Sequence, residues 1–207
     1  MAINMAQKRA KKAQHRKQVV AEKRRVEARE ASLPARIARF AQTPVQACYM
    51  AEGLFETGIG TLILARGNSS YSIGLGSFLI DVFCLGVKDV MLKEVDGDWL
   101  DYYVETCNAS APLIEIEPSY ARKLLRDAAV WAQSIGFSPH PDFATVERIF
   151  GDVNPDDSDA VFQFGSDGKP TYISGPNETP TQIRRLTETL RKHLVEGAEI
   201  VVGPTAS

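Results

Sequence analysis

Cysteine is scarce and scattered in this chain. Cys48, Cys84 and Cys107 are odd in number and widely spaced, and they form neither a CxxC pair nor a cluster with the three histidines. That pattern excludes a disulfide framework and a structural zinc site and points to a reducing compartment. Long apolar runs are missing too. No stretch approaches ~18 consecutive apolar residues, so none reads as membrane-spanning. The charged N-terminus has no apolar core behind it and does not read as a secretory signal. A mitochondrial presequence is also basic and helical, but three glutamates and dense lysine pairs count against it here. Aromatic residues are absent from residues 1–39, and between residues 6 and 31 only Val19, Val20 and Val26 are sizeable apolar residues. That segment has no face with which to pack on a core.

What is present divides into two parts. Residues 1–40 hold 12 Lys/Arg against 3 Glu, or +9, and residues 41–207 hold the other 12 Lys/Arg against 23 Asp/Glu, or −11. The overall net charge of −2 therefore describes neither part, and such asymmetry marks an interaction tail. With 44% hydrophobic residues and nine Phe among 207 residues, the remainder can bury a core. The organisation expected is a basic arm over 1–31, helical or disordered, and a single α+β domain over 32–207.

The pattern along the chain supports that division. "MAQKRAKKAQHRKQVVAEKRRVEAREA" (residues 5–31) is rich in strong helix formers and free of Gly and Pro. Ser32 and Pro34 open a short helix with Ile37 and Phe40 facing inward. "VQACYMA" and "TLILAR" read as strands, with "GNSS" as a turn signal. "YSIGLGSFLIDVFCLGVKDVMLKEV" is too long for one strand, and its glycines split it into two. "PSYARKLLRDAAVWAQSIG" is a helix with Pro118 in its first turn, Gly136 at its end, and Tyr120, Leu124, Ala128 and Trp131 on one stripe. "PDFATVERIFG" is a shorter helix, "NPDDSD" an acidic turn, and "AVFQFGSDGKPTYIS" a hairpin. "TPTQIRRLTETLRKHLVEG" is a third helix, capped by Thr179 or Thr181 and closed by Gly197, with "AEIVVG" adding a last strand. Helices and hairpins without βαβ periodicity predict a curved antiparallel sheet packed with about three helices.

Two stretches, "FLIDVFCLGVKD" (Phe78–Asp89) and "FGSDGKPTYISGP" (Phe164–Pro176), resemble signature segments of an uncharacterised family of bacterial proteins. In that family, as here, "GFSPHPDF" follows a helix. The resemblance spans roughly residues 44–180 and excludes the arm. It implies a bacterial, cytosolic protein and transfers no catalytic residue.

Asp81, Cys84, Lys88 and Asp89 admit two readings. In one, Cys84 is a nucleophile, Asp81, Asp89 or His140 is its base or orienter, and Lys88 lowers the thiol pKa. In the other, alternation along a strand puts Asp81 and Cys84 on opposite faces. Cys84 is then a small buried apolar residue, Asp81 accepts backbone N–H bonds at a bend, and Lys88 and Asp89 sit at a turn. The structural reading is the expectation. Similarly, "FGSDGKPTYISGPNETPT" lacks the spacing of a phosphate-binding P-loop and reads as turns. Asp152, Asp156, Asp157 and Asp159 lack the alternation of a calcium loop. No metal or cofactor is expected.

The arm carries the strongest functional signal. Lys8, Arg9, Lys11, Lys12, Arg16, Lys17, Lys23, Arg24 and Arg25 spread around a helix rather than along one stripe. They suit a phosphate backbone read by charge and not by base. The expected function is a non-enzymatic binding protein whose arm contacts RNA or a ribonucleoprotein. The alternatives are a small cytosolic enzyme using Cys84 with Asp81 or His140, and an accessory subunit binding an acidic protein partner. Membrane binding is disfavoured because the arm lacks an apolar face.

Overall fold

The computed structural model describes residues 32–175, 178–193 and 199–201. The arm and its nine candidate cations, Gly197 and Pro176 lie outside the described residues. The chain divides into two units, Met1–Arg36 and Ile37–Ser207, and only 32–36 of the first are described. Helix α1 (Leu33–Phe40) crosses that boundary and ends on buried Ile37 and Phe40, as the spacing predicts.

The second unit is α+β, as expected. It is built on an open five-stranded antiparallel sheet, order β4-β3-β2-β1-β5. Its strands are β1 (Val45–Ala51), β2 (Ile59–Ser69), β3 (Ser72–Asp81), β4 (Gly86–Val95) and β5 (Leu113–Glu115). β2 continues through "GNS", and the chain reverses at Ser70–Tyr71 instead. The register shifts within three of the strand pairs, at Val45/Ala47, Gly67/Ser69 and Leu79/Ile80. Such bulges increase local twist and curve a sheet.

Both faces of the sheet are covered. Ile63, Ala65, Ile73 and Leu75 pack with Leu100, Trp99 and Tyr103 of helix α2 (Gly97–Ser110). The Tyr103 and Ser77 hydroxyls share a 2.8 Å hydrogen bond across that layer. The pattern of "GDWLDYYVETCNAS" does not announce this helix, because only Leu100 is fully buried and three exposed acids interrupt its apolar stripe. Its start is nonetheless locally encoded, since Asp96 caps it by accepting from Trp99 N at 2.9 Å. On the other face, Phe78 meets Phe143 and Phe150. Helix α3 (Pro118–Ser134) buries Ala121, Leu124, Leu125, Ala128, Ala129 and Ala132. Tyr120 and Trp131 of the predicted stripe are half-buried; Tyr120 meets Phe162 edge-on and Trp131 stacks on Phe164.

The expected hairpin is corrected. Among the described residues, only an isolated Ser166–Lys169 bridge forms at its tip. Residues 160–164 make no ladder, because Phe162 and Phe164 turn to the α3 rings, and β6 (Thr171–Ile173) pairs instead in parallel with β7 (Glu199–Val201). "PDFATVERIFG" forms two single turns, Phe143–Val146 and Glu147–Phe150. Helix α4 (Pro180–Lys192) opens with a reciprocal Thr179–Gln182 capping box, so Thr179 rather than Thr181 is the cap. A second apolar cluster under α4 joins Cys84, Leu85, Ala132, Ile135, Phe137, Tyr172, Ile183 and Leu190. No helix among the described residues is long and apolar enough to cross a membrane.

Candidate functional site

The stretch Phe78–Leu92 is two strands and the tight turn between them. Residues 82–85 leave the sheet, so Cys84 is not on a strand, and the predicted opposition of strand faces gives way to a turn. Asp81, at the end of β3, closes that turn by accepting from Phe83 N at 3.0 Å and Cys84 N at 2.8 Å through Oδ1. This is the backbone-bonded bend that the structural reading predicts. Gly86 follows with φ 66°, and a Cβ there would lie 2.7 Å from the Ala132 Cβ, so glycine lets the turn press on α3.

Lys88 and Asp89 are corrected from a turn to β4. Leu79 pairs with Asp89 while Ile80 pairs with Val87, so Lys88 is the extra residue of a β-bulge. Bulges re-aim side chains and recur beside functional sites. The Lys88 Nζ lies 3.1 Å from Glu178 Oε1. Glu178 also accepts from the Tyr172 hydroxyl and from Gly175 N. Burial raises the Glu178 pKa, but the donors from Tyr172, Lys88 and Gly175 outweigh it and hold the carboxyl below its usual range.

These groups border a cavity of about 240 Å³. Asp81, Phe83 and Lys88 come from the first of the two family-like stretches, and Thr171, Ile173 and Gly175 from the second. Gly58 and Ile59 close the far side, and with φ 81° a Cβ on Gly58 would overlap the Phe83 ring. Two segments separated by about 80 residues of sequence therefore wall one space. Asp81 is only 6% exposed. Its pKa is raised by burial, against the backbone donors and Lys88, which act in the opposite sense.

The other candidate residues do not assemble here. Cys84 is fully buried, and burial, then the Asp81 charge, push its thiol pKa up rather than down. Cys48 is likewise pushed up to about 12, by burial and then by Glu117 and Glu115. A nucleophilic thiol needs the reverse environment. The His140 Nδ1 accepts from Asp142 N at 3.2 Å and its Nε2 faces Asp89 Oδ1 at 3.7 Å, and among the described residues no hydrogen bond joins His140 to Cys84. Asp152 pairs with Arg66 at 3.1 Å, and the Asn154 side chain accepts from Asp156 N and donates to Asp157. Among the described residues no group of three His, Cys, Asp or Glu is placed to hold a metal ion.

A second polar cluster was not legible in sequence. Buried Glu147 accepts from Arg122 Nε at 2.5 Å and from Arg126 Nε at 2.9 Å. The only available sign was the i,i+4 spacing of the arginines on α3. Glu178 and Tyr172 were missed for a similar reason, since no spacing connects them to Lys88.

Cys84→Ser is expected to destabilise the protein by about 1–3 kcal/mol, because a hydroxyl replaces a buried thiol among apolar neighbours. Denaturant unfolding measures this. The same geometry predicts slow alkylation of Cys84 in the folded protein at neutral pH, and rapid labelling located at Cys84 by mass spectrometry would reverse the structural assignment. No family model, no curated protein and no solved structure matches this chain.

Proposed function

We propose that the protein is a non-enzymatic, cytoplasmic binding protein of bacterial type whose arm contacts RNA or a ribonucleoprotein without base specificity. The observation that carries this reading is the charge partition. Residues 1–31 hold 10 Lys/Arg and 3 Glu, or +7, with no aromatic residue and no core-forming face. Such a segment neutralises phosphates and releases their counterions, and it offers no ring for base stacking. The body is net acidic and repels nucleic acid, so the arm alone supplies the attraction. The buried, high-pKa environment of Cys84 supports the non-enzymatic reading over thiol chemistry.

The test is an anisotropy titration of labelled single-stranded RNA with the full chain and with a chain beginning at residue 32. The shorter chain is expected to stay folded and to lose most of the affinity, with little dependence on RNA sequence in either case. Equal affinity of the two chains overturns the proposal and moves the arm to an acidic protein partner.

A further inference from the structure

The cavity beside the β3–β4 turn is small. Its volume of about 240 Å³ equals roughly eight waters at ~30 Å³ each, below the ~300 Å³ at which drug-sized sites begin. One part of its wall is apolar, formed by Phe83, Ile59 and Ile173, and another carries Asp81 and Lys88. Lys88 stands on a bulge and, among the described residues, gives one N–H to Glu178, which leaves two for an occupant. Among the described residues, Asp81 takes hydrogen bonds from backbone donors, and no side-chain cation lies within ion-pair distance of it. A nine-tenths-buried carboxyl that feels the Lys88 charge but forms no salt bridge among the described residues thus shares the wall with that ammonium.

We propose that this cavity binds a small apolar carboxylate, its headgroup held between the Lys88 ammonium and the Asp81 carboxyl and its hydrocarbon part laid against Phe83, Ile59 and Ile173. Burial favours the protonated form of Asp81, and a protonated carboxyl donates its O–H. Both polar groups then offer donors to one anionic acceptor. A cation would instead face Lys88 and require a buried acid to ionise. The charged and titratable groups around Asp81 are Lys88 on β4, Cys84 in the turn, Tyr172 on β6 and Glu178 before α4. Burial raises the pKa of both Cys84 and Tyr172, so neither adds charge at neutral pH. Glu178 is already occupied by Lys88, Tyr172 and Gly175. Affinity therefore falls as pH rises through the Asp81 pKa, because the ionised carboxylate repels the ligand.

The experiment is calorimetric titration of the full chain with isovalerate, isovaleramide and isoamylamine across pH. Isovalerate is expected to bind at least roughly tenfold more tightly than its neutral and cationic counterparts, the worth of one charge-assisted contact. Lys88→Met is expected to remove that preference. Ile173→Trp, which fills the cavity from an exposed strand position, is expected to abolish binding without unfolding the protein, as circular dichroism will show. Asp81→Asn keeps a donor in place but cannot ionise. It is expected to retain binding and to lose the decline at high pH. The proposal is overturned if isoamylamine or isovaleramide binds as well as isovalerate, if Ile173→Trp folds and still binds, or if Asp81→Asn keeps the parent pH profile. Failure of all three probes to bind overturns it too, and leaves RNA binding by the arm untouched.

Discussion

Replacing Lys8, Arg9, Lys11, Lys12, Arg16 and Lys17 with glutamine is expected to flatten the salt dependence of RNA binding and to remove most of the affinity at low salt. If each of the six cations meets one phosphate, the slope of log K against log salt is about −0.7 per contact on a single strand, or about −4 in all. A fourfold rise in salt, from ~50 to ~200 mM, then weakens the parent roughly 300-fold. The glutamine variant retains Lys23, Arg24, Arg25 and Arg29 against Glu22, Glu27 and Glu30, so its local charge is close to neutral. Its slope is expected near −1 or shallower. Glutamine is also a good helix former, so the change tests charge rather than helix propensity. Anisotropy titrations at four salt concentrations measure both slopes. A parent slope near zero would rule out the phosphate reading.

Glu147→Ala is expected to destabilise the body strongly. The side chain is 9% exposed and Arg122 is 11% exposed, so the pair is held out of water. Arg122 also donates to the carbonyls of Gly151 and Val153, tying α3 to the segment beyond the Glu147–Phe150 turn. Removing the carboxylate leaves a buried guanidinium without its counter-ion, a loss of about 3–5 kcal/mol. For a domain of this size that lowers the melting midpoint by about 10 °C. Arg126 is 46% exposed and water screens much of its share, so Arg126→Ala is expected to cost less than ~1 kcal/mol. Burial raises the Glu147 pKa, and the hydrogen bonds from Arg122 and Arg126 more than offset it, so the folded pKa lies below the usual carboxylate value. The corresponding stabilisation is complete above the unfolded pKa, about 4.3, and is lost as pH falls through the depressed folded value. Acid titration of stability should therefore be steeper below about pH 4 in the parent than in Glu147→Gln. A loss under ~1 kcal/mol in Glu147→Ala would show that water reaches the pair.

Much of the architecture is local and was legible. Pro118 and Gly136 bracket α3 because proline suits a first turn and glycine a left-handed end, and Gly136 has φ 92°. Thr179 and Gln182 form their capping box from adjacent sequence. Ile37 and Phe40 are buried because their spacing puts them on one helical face. Even the bend at Asp81 is short-range chemistry, a carboxyl oxygen accepting from amides two and three residues on.

The arm's charge and the lack of any core-forming face are properties of composition, and the sequence determined them alone. The same holds for the absence of zinc spacing around the cysteines. Only tertiary structure decided the rest. The strand exchange at β6 depends on where Phe162 and Phe164 find rings to pack on, and those rings lie on α3, about 30 to 40 residues earlier in sequence. Helix α2 exists because a second sheet face needed cover, and its own apolar stripe is too thin to announce it. Lys88 became a wall group because a one-residue shift between Val87 and Asp89 left it without a strand partner and brought it to Glu178, a residue 90 positions away. Register and long-range pairing are set by the combined packing of many segments, so no local pattern in "FLIDVFCLGVKDVML" contained that outcome.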